Sequence, residues 1–401
     1  MTIRTGDDTH IITRQRSVIQ HLASTDPLRL ILLAQAAISI IALRNTAFLD
    51  EASYIYAGEQ LLQGKATVGH YATYFSGYPD FYPAIAGLLN LVGGLELVRL
   101  FSTVCMLFVT SCVFLVTERL YNRTSAYAAA ALFAFTGPTL FLSHLATFDA
   151  LALMFLAMAT TLAVSVASAR DNKLALGMSL FIAVLLILAV AAKYAALLWV
   201  PFVIAILAAQ TIGQQGWRRG WYYPIVTIAG IAALRWCAIS LITDDVIHGI
   251  TSTTTSRTAM IPEPPAGLLA TILQAGSLIW GLCLLGLLLI PRRQRTVSLL
   301  LLFASLAAPV YHLDSGESTS LYKHMSFAMF FAAPVAGTAV GALMKRTSAW
   351  WSTHRPLQLA GALGCVALLA ALLAHTLTLS IGSAQIQYAR RNDGAITKSK
   401  N

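Results

Sequence analysis

Asp50 and Glu51 form the only adjacent Asp-Glu pair in the sequence, and they directly follow the first long apolar segment. Two neighbouring carboxylates near a membrane surface resist full ionisation of both, or they share a cation. Either arrangement suits a general base that accepts a proton from a hydroxyl group, or a pair of metal ligands. Acidic residues also stabilise the first turn of a helix, so a purely structural role for the pair stays open.

Four further residues are of types suited to an anionic substrate. Asp149 ends the run TLFLSHLATFD, Lys193 lies between two apolar segments with almost no loop, and Lys323 and His324 stand where another apolar segment begins. A lysine near the membrane needs a partner, and a helix start with Lys and His suits a phosphate. The structural alternatives are a helix-terminal acid for Asp149, a snorkelling side chain for Lys193 and an ordinary solvated loop before His324.

The elements that must position these residues are predicted to be membrane helices. The chain is 57% hydrophobic and only 11% charged, whereas a soluble domain carries about 25% charged residues. Apolar runs long enough to cross the bilayer recur throughout, so the sequence predicts an all-α polytopic membrane protein. The predicted spans, about eleven in number, are 27–43, 97–117, 124–142, 149–168, 174–191, 195–212, 224–242, 267–290, 296–312, 325–344 and 357–381.

Basic residues fill alternate loops between these spans, as Arg119 and Arg218 illustrate. The positive-inside rule then predicts a cytosolic tail at 1–26, a membrane domain at 27–381 and a C-terminal tail at 382–401 on the outer side. Most of the acidic residues fall on the outer side, so we expect the polar functional residues of the protein to act there. The net charge of +10 is explained by the cytosolic loops, and it does not indicate nucleic-acid binding.

The first outer loop, residues 44–96, is predicted to be structured and to carry the active site. Apolar or small residues recur at helical spacing over 54–62, and polar residues including Glu51 take the other side. This pattern is typical of an amphipathic helix that lies in the membrane interface. The stretch 81–92 is apolar but too short to span, and Gly93-Gly94 can end it, which predicts a second juxtamembrane helix.

Several of these segments resemble the GT-C superfamily of membrane glycosyltransferases, in particular the protein O-mannosyltransferases and the bacterial lipid A aminoarabinose transferases. The loop opening LDEASYIYAGEQLLQG looks like the start of their first outer loop, and YPDFYPAIAGLLNLVGG is similar to the segment that follows it. The region from ELVRLFSTVCM to HLATFDALALMF resembles their next three helices in order and spacing. AVAAKYAALLWVPFVI looks like their later lysine-containing turn.

The resemblance implies a GT-C-like helical bundle in a bacterial plasma membrane, with its active site on the outer face. It implies that Asp50 is the catalytic acid, with Glu51 as its neighbour, and that Asp149 is a second acid of the site. Lys193 matches the lysine of the family's turn, and Tyr82 lies in the tyrosine-proline segment and is expected to contact substrate. A divalent metal cation held by the three acids stays open.

The reaction implied is transfer of a sugar from a polyprenyl-phosphate donor to a lipid, glycan or protein acceptor hydroxyl, with inversion at the anomeric carbon. Asp50 would take the hydroxyl proton, and Lys193 and Lys323, with His324 or a divalent cation, would stabilise the leaving phosphate. The alternative is a lipid or sugar transporter, or a flippase, without transferase chemistry. It predicts paired inverted halves with broken helices near the midplane, and the sequence has no such halves.

Overall fold

The computed structural model describes residues 26–42, 49–65, 80–238 and 262–353, together with positions 47, 244, 247, 248 and 251. Its elements are almost all helical, as the sequence predicts. The α-helices are α1 (Pro27–Ala42), α2 (Leu49–Leu62), α3 (Phe81–Leu120), α4 (Arg123–Ala134), α5 (Gly137–Ser143), α6 (Phe148–Ala163), α7 (Asn172–Ala192), α8 (Val200–Gln215), α9 (Trp217–Gly220), α10 (Tyr222–Cys237), α11 (Pro265–Leu289), α12 (Arg292–Ser315) and α13 (Leu321–Thr353).

Ten of the predicted spans coincide with helices of this part of the chain, and the predicted span 357–381 lies outside it. Within the described residues, six helices are long and apolar enough to cross a membrane, or seven if α4 and α5 count as one span. α1 and α6 are apolar but shorter. The exact number of eleven therefore stays a prediction, as do the two tails.

α3 consists of two helices joined at a break. Gly93 and Gly94 leave helical geometry, and Gly94 has φ of +69°, which favours a residue without a Cβ. The short helix 81–92 predicted from the sequence is therefore real, and it ends at the predicted glycine pair. The longer second part of α3 runs on to Leu120 and packs in the core.

α4 and α5 correct the prediction of one unbroken span at 124–142, because the chain bends by 66° between them. Thr136 precedes the second helix in extended conformation, and Pro138 lies in its first turn, where a missing N–H costs nothing. The bend keeps α5 and the following turn, up to Thr147, buried inside the bundle. That turn leads directly into α6 and Asp149.

Small residues let the helices nearest the site approach closely. A Cβ at Gly58 of α2 would lie 1.9 Å from the carbonyl oxygen of Pro83, and one at Gly87 would lie 2.5 Å from the backbone of Gly58. α2 therefore rests directly on the first part of α3, backbone against backbone. Contacts of this kind are typical of helix packing in membranes. The hydrophobic effect does not drive helices together there, and small residues allow the close van der Waals packing that does.

The succession of antiparallel helices gives the bundle two chemically different ends. One, the carboxylate end, holds the beginnings of α2, α6 and α13 and the ends of α5, α7 and α12. The other, the basic end, holds the end of α3 with Arg119, the turn with Arg170, α9 with Arg218 and the start of α12 with Arg292. Within the described residues, Asp50, Glu51 and Asp149 thus lie at the end opposite these arginines, while the assignment of the two ends to the two sides of the membrane stays a prediction.

Candidate active site

α2 places Asp50 and Glu51 in its first turn, where both side chains are buried. Consecutive residues on an α-helix point about 100° apart, because the helix has 3.6 residues per turn. The two carboxylates therefore face different neighbours, and the structure gives them different partners. The prediction that Glu51 lies on the polar, outward side of an amphipathic helix is wrong, because Glu51 is fully buried.

Glu51 forms a buried ion pair with Arg99 of α3. The Arg99 guanidinium donates to both carboxylate oxygens, at 2.8 and 2.7 Å, and the backbone N–H of Ala146 donates to Oε1 at 2.8 Å. Neither charged side chain is exposed. One carboxylate thus ties α2 to α3 and to the turn before α6. Sequence reasoning missed Arg99, although an arginine beside an apolar run is itself a signal of an internal partner.

Asp50, Lys323, Asp149 and Lys193 form a buried chain of alternating charges, which we call the charge cluster. The Lys323 ammonium donates to Oδ2 of Asp50 at 2.9 Å and lies 3.9 Å from Oδ2 of Asp149. Lys193 donates to the other oxygen of Asp149. All four residues were singled out in the sequence, and the fold brings them together from α2, α6, the end of α7 and the start of α13.

Lys193 reaches Asp149 because the chain is extended at this residue. α7 ends at Ala192, Lys193 has φ of −154° and ψ of 118°, and a 3-10 helix, Tyr194–Trp199, follows. The ammonium also lies 4.9 Å from the centre of the Phe148 ring, within the range of a cation–π contact. Lys193 is therefore a buried, paired cation and not a snorkelling one.

His324 is bonded to a second histidine that sequence reasoning did not select. Its Nδ1 lies 2.8 Å from Nε2 of His312, whose Nδ1 lies 2.6 Å from the carbonyl oxygen of Glu317. A carbonyl only accepts, so His312 Nδ1 carries the proton; when the His312 ring is neutral, its Nε2 accepts from Nδ1 of His324. His312 therefore orients the imidazole next to Lys323, and both rings are buried.

Tyr82 lies in an aromatic group beneath α2 and not in the charge cluster. Its ring is fully buried, 5.6 Å from the ring centre of Tyr54 and 6.4 Å from that of Phe148. Tyr54 and Phe148 are 4.7 Å apart. This group supports the helix starts that carry Asp50 and Asp149, while contact of Tyr82 with substrate stays a prediction.

The three acids as arranged do not make a metal site. Glu51 is saturated by Arg99 and the Ala146 N–H, and Asp50 and Asp149 share Lys323 between them. An ammonium therefore stands between the two carboxylates where a metal ion would need to bind. Among the described residues, no group of three His, Cys, Asp or Glu side chains lies close enough to hold a metal.

Comparison with known proteins finds a family model that matches part of the sequence. Residues 81–238, from α3 to α10, match the family model of dolichyl-phosphate-mannose-protein mannosyltransferases. No curated protein sequence is significantly similar to the chain.

Solved structures similar to the chain include ArnT and an archaeal oligosaccharyltransferase. ArnT from Cupriavidus metallidurans bound to undecaprenyl phosphate has a TM-score of 0.55 and 16% identity, over 84% of this chain and 63% of that one. The oligosaccharyltransferase AglB from Archaeoglobus fulgidus, in complex with an inhibitory peptide and a dolichol-phosphate, has a TM-score of 0.54 and 13% identity, over 89% of this chain and 56% of that one. The Archaeoglobus fulgidus oligosaccharyltransferase in complex with Zn and sulfate has a TM-score of 0.53 and 13% identity, over 88% of this chain and 53% of that one.

The chain thus has the fold of these proteins, and it spans about 53 to 63% of their length. It resembles the GT-C superfamily in sequence over α3 to α10 and in fold over most of its length. With its apolar spans, this fold makes the chain an integral membrane protein.

Proposed function

We propose that this chain, which resembles the GT-C membrane glycosyltransferases, transfers a sugar from a polyprenyl-phosphate donor to an acceptor hydroxyl at the outer face of the membrane, with inversion. The observation that carries the proposal is the buried charge cluster, in which two carboxylates and two ammoniums meet at one end of a GT-C-like bundle. The lipid phosphates named with ArnT and AglB support a donor of the same chemical class.

The reaction is a single displacement at the anomeric carbon. Asp50 accepts the proton of the acceptor hydroxyl while the oxygen of that hydroxyl forms a bond to the anomeric carbon. The bond between the anomeric carbon and the phosphate oxygen breaks, and the electron pair leaves with the polyprenyl phosphate. Attack from the side opposite the leaving group inverts the configuration.

Lys193 and Lys323 stabilise the charge that develops on the leaving phosphate. Their ammoniums are at most a tenth exposed, and charged donors held in a site that excludes water act more strongly than they do in water. His324, next to Lys323, has its Nδ1 on His312, so it donates to the phosphate through Nε2 when its ring is protonated on both nitrogens. No step of this mechanism is routed through a metal, because lysine lies between the carboxylates that would bind one.

The proposal is tested with purified protein in liposomes that contain a radiolabelled polyprenyl-phosphate sugar and extracts of envelope lipids, glycans or proteins as acceptors. We expect label to move covalently to an acceptor, polyprenyl phosphate to be released in equal amount, and the new glycosidic bond to have the opposite anomeric configuration by NMR. Translocation of the intact labelled donor across the liposome membrane without release of polyprenyl phosphate would favour a transporter or flippase instead.

A further inference from the structure

Lys323 is the member of the charge cluster that two carboxylates share. Its ammonium donates to Asp50 at 2.9 Å and lies 3.9 Å from Asp149, while Asp149 is also bonded to Lys193. Lys323 is therefore bonded to Asp50, while Asp149 keeps Lys193 if Lys323 moves.

A carboxylate that accepts a hydrogen bond from an ammonium is a poor base, because the bond stabilises its charged form. With Lys323 in place, Asp50 is paired with the cation that the proposed reaction needs at the phosphate. Without donor, the proposed base Asp50 and the proposed phosphate-binding cation Lys323 are therefore bonded to each other.

The reaction itself moves negative charge away from Asp50. Asp50 becomes neutral when it takes the hydroxyl proton, and the donor phosphodiester, with one negative charge, becomes a monoester with a charge of about −1.5 to −2 at pH 7. A cation that follows the negative charge must leave Asp50 and approach the phosphate. Lys323 can do so because its ammonium ends a flexible four-carbon chain in the first turn of α13.

We propose that Lys323 passes from Asp50 to the donor phosphate when the donor binds, so that Asp50 is released from this ammonium only in the donor complex. This inference rests on the proposed function and adds its regulation: the donor phosphate competes with Asp50 for Lys323. Lys193 stays with Asp149 and forms the fixed half of the phosphate site. Neutralising Asp50 then strengthens phosphate binding, the opposite of what loss of a site residue usually does.

The test measures the affinity of the full-length protein in detergent for undecaprenyl phosphate, with neutral undecaprenol as the control ligand. We expect Asp50→Asn to bind undecaprenyl phosphate about tenfold more tightly, since one competing charged hydrogen bond is removed. Lys323→Met should bind it about tenfold more weakly, and Asp50→Asn should give no gain in the Lys323→Met background. Undecaprenol affinity should be the same in all variants.

Glu59→Gln is the matched control. Glu59 is an acid on the same helix whose carboxylate accepts from Asn90 at 2.8 Å, and its neutralisation should leave the phosphate affinity unchanged. A similar gain in Glu59→Gln would assign the effect to net charge and overturn the proposal. So would an unchanged or weaker affinity in Asp50→Asn, or a gain that persists without Lys323.

Asp50→Ser removes the same charge with a smaller side chain and should give the same gain. Loss of the fold in both Asp50 variants would show that the ion pair holds the structure together and does not yield its lysine, which also overturns the inference. Failure of the proposed function looks different, because the wild-type protein would then transfer no sugar. A wild type that transfers sugar while Asp50→Asn binds no tighter refutes only the exchange of Lys323.

Discussion

At the scale of single residues, the two adjacent acids have separate tasks. Asp50 faces the charge cluster through Lys323, while Glu51 holds Arg99 and the Ala146 N–H in the interior. The difference follows from their angular separation on one helical turn. Glu51 is thus suited to fix where Asp50 stands relative to the turn before α6.

The pair of Glu51 and Arg99 leads to a prediction about stability and register. Arg99→Met removes the cation that compensates the buried Glu51 carboxylate, so we expect the free energy of unfolding to fall by about 3–5 kcal/mol. The double variant Glu51→Leu/Arg99→Met removes both charges and should recover most of that loss in thermal or denaturant unfolding.

Sugar transfer should stay low in the double variant, because the hydrogen bonds from the start of α2 to Ala146 and to Arg99 of α3 are then lost. Recovery of both stability and transfer would show that the pair is dispensable for positioning Asp50.

The sequence indicates the members of the charge cluster but not their pairing. Asp50, Asp149, Lys193 and Lys323 fall at one end because loops alternate between the two sides, which follows from counting spans. Which ammonium meets which carboxylate depends on how the helices pack, over separations of 273 residues for Asp50 and Lys323. For the same reason, apolar periodicity wrongly assigned Glu51 to the solvated, polar face of α2.

At the scale of elements, glycine contacts and helix breaks position the site. α2 rests on the first part of α3 through Gly58 and Gly87, and α3 breaks at Gly93-Gly94. The bend between α4 and α5 buries the turn that leads into α6. The glycine break was predicted because the residue type itself permits it, whereas the bend at Thr136 was missed although Gly137-Pro138 marks it, since the surrounding run is apolar on both sides.

The contact at Gly58 predicts a defect that is confined to α2. In Gly58→Ala the new Cβ would lie 1.9 Å from the Pro83 carbonyl oxygen, so α2 and with it Asp50 must shift. Because small misplacements cost about 10²-fold in rate, we expect transfer to fall by one to two orders of magnitude while the helix content by circular dichroism is unchanged. Gly177→Ala, where a Cβ meets nothing within 4 Å, should transfer normally; an equally active Gly58→Ala would mean that the contact is not needed.

At the scale of the whole molecule, the bundle separates basic from acidic chemistry. Arg119, Arg170, Arg218 and Arg292 lie at the end opposite the charge cluster. Basic residues in short loops set orientation, and acidic residues contribute little. The charge cluster is therefore expected to face the outer side, where a lipid-linked donor and an envelope acceptor can meet.

Orientation is tested by labelling single cysteines in a variant whose native cysteines are replaced by alanine. A cysteine at Asp314, which is exposed near the end of α12, should react with an impermeant maleimide in intact cells. A cysteine at Gln214, exposed at the end of α8, should react only after the membrane is permeabilised. The reverse pattern would place the charge cluster in the cytosol and refute the outer-face assignment.

The central claim is that Asp50 is the base of a sugar transfer, and the single-turnover rate of Asp50→Asn tests it most directly. Asparagine keeps the shape of the side chain and can cap a helix, but it cannot accept the hydroxyl proton. With the radiolabelled polyprenyl-phosphate sugar bound to saturation, we expect a folded protein whose rate is lower by about 10²-fold or more, with Glu59→Gln close to wild type. Transfer by Asp50→Asn at the wild-type rate would make Asp50 a structural residue and would contradict the mechanism.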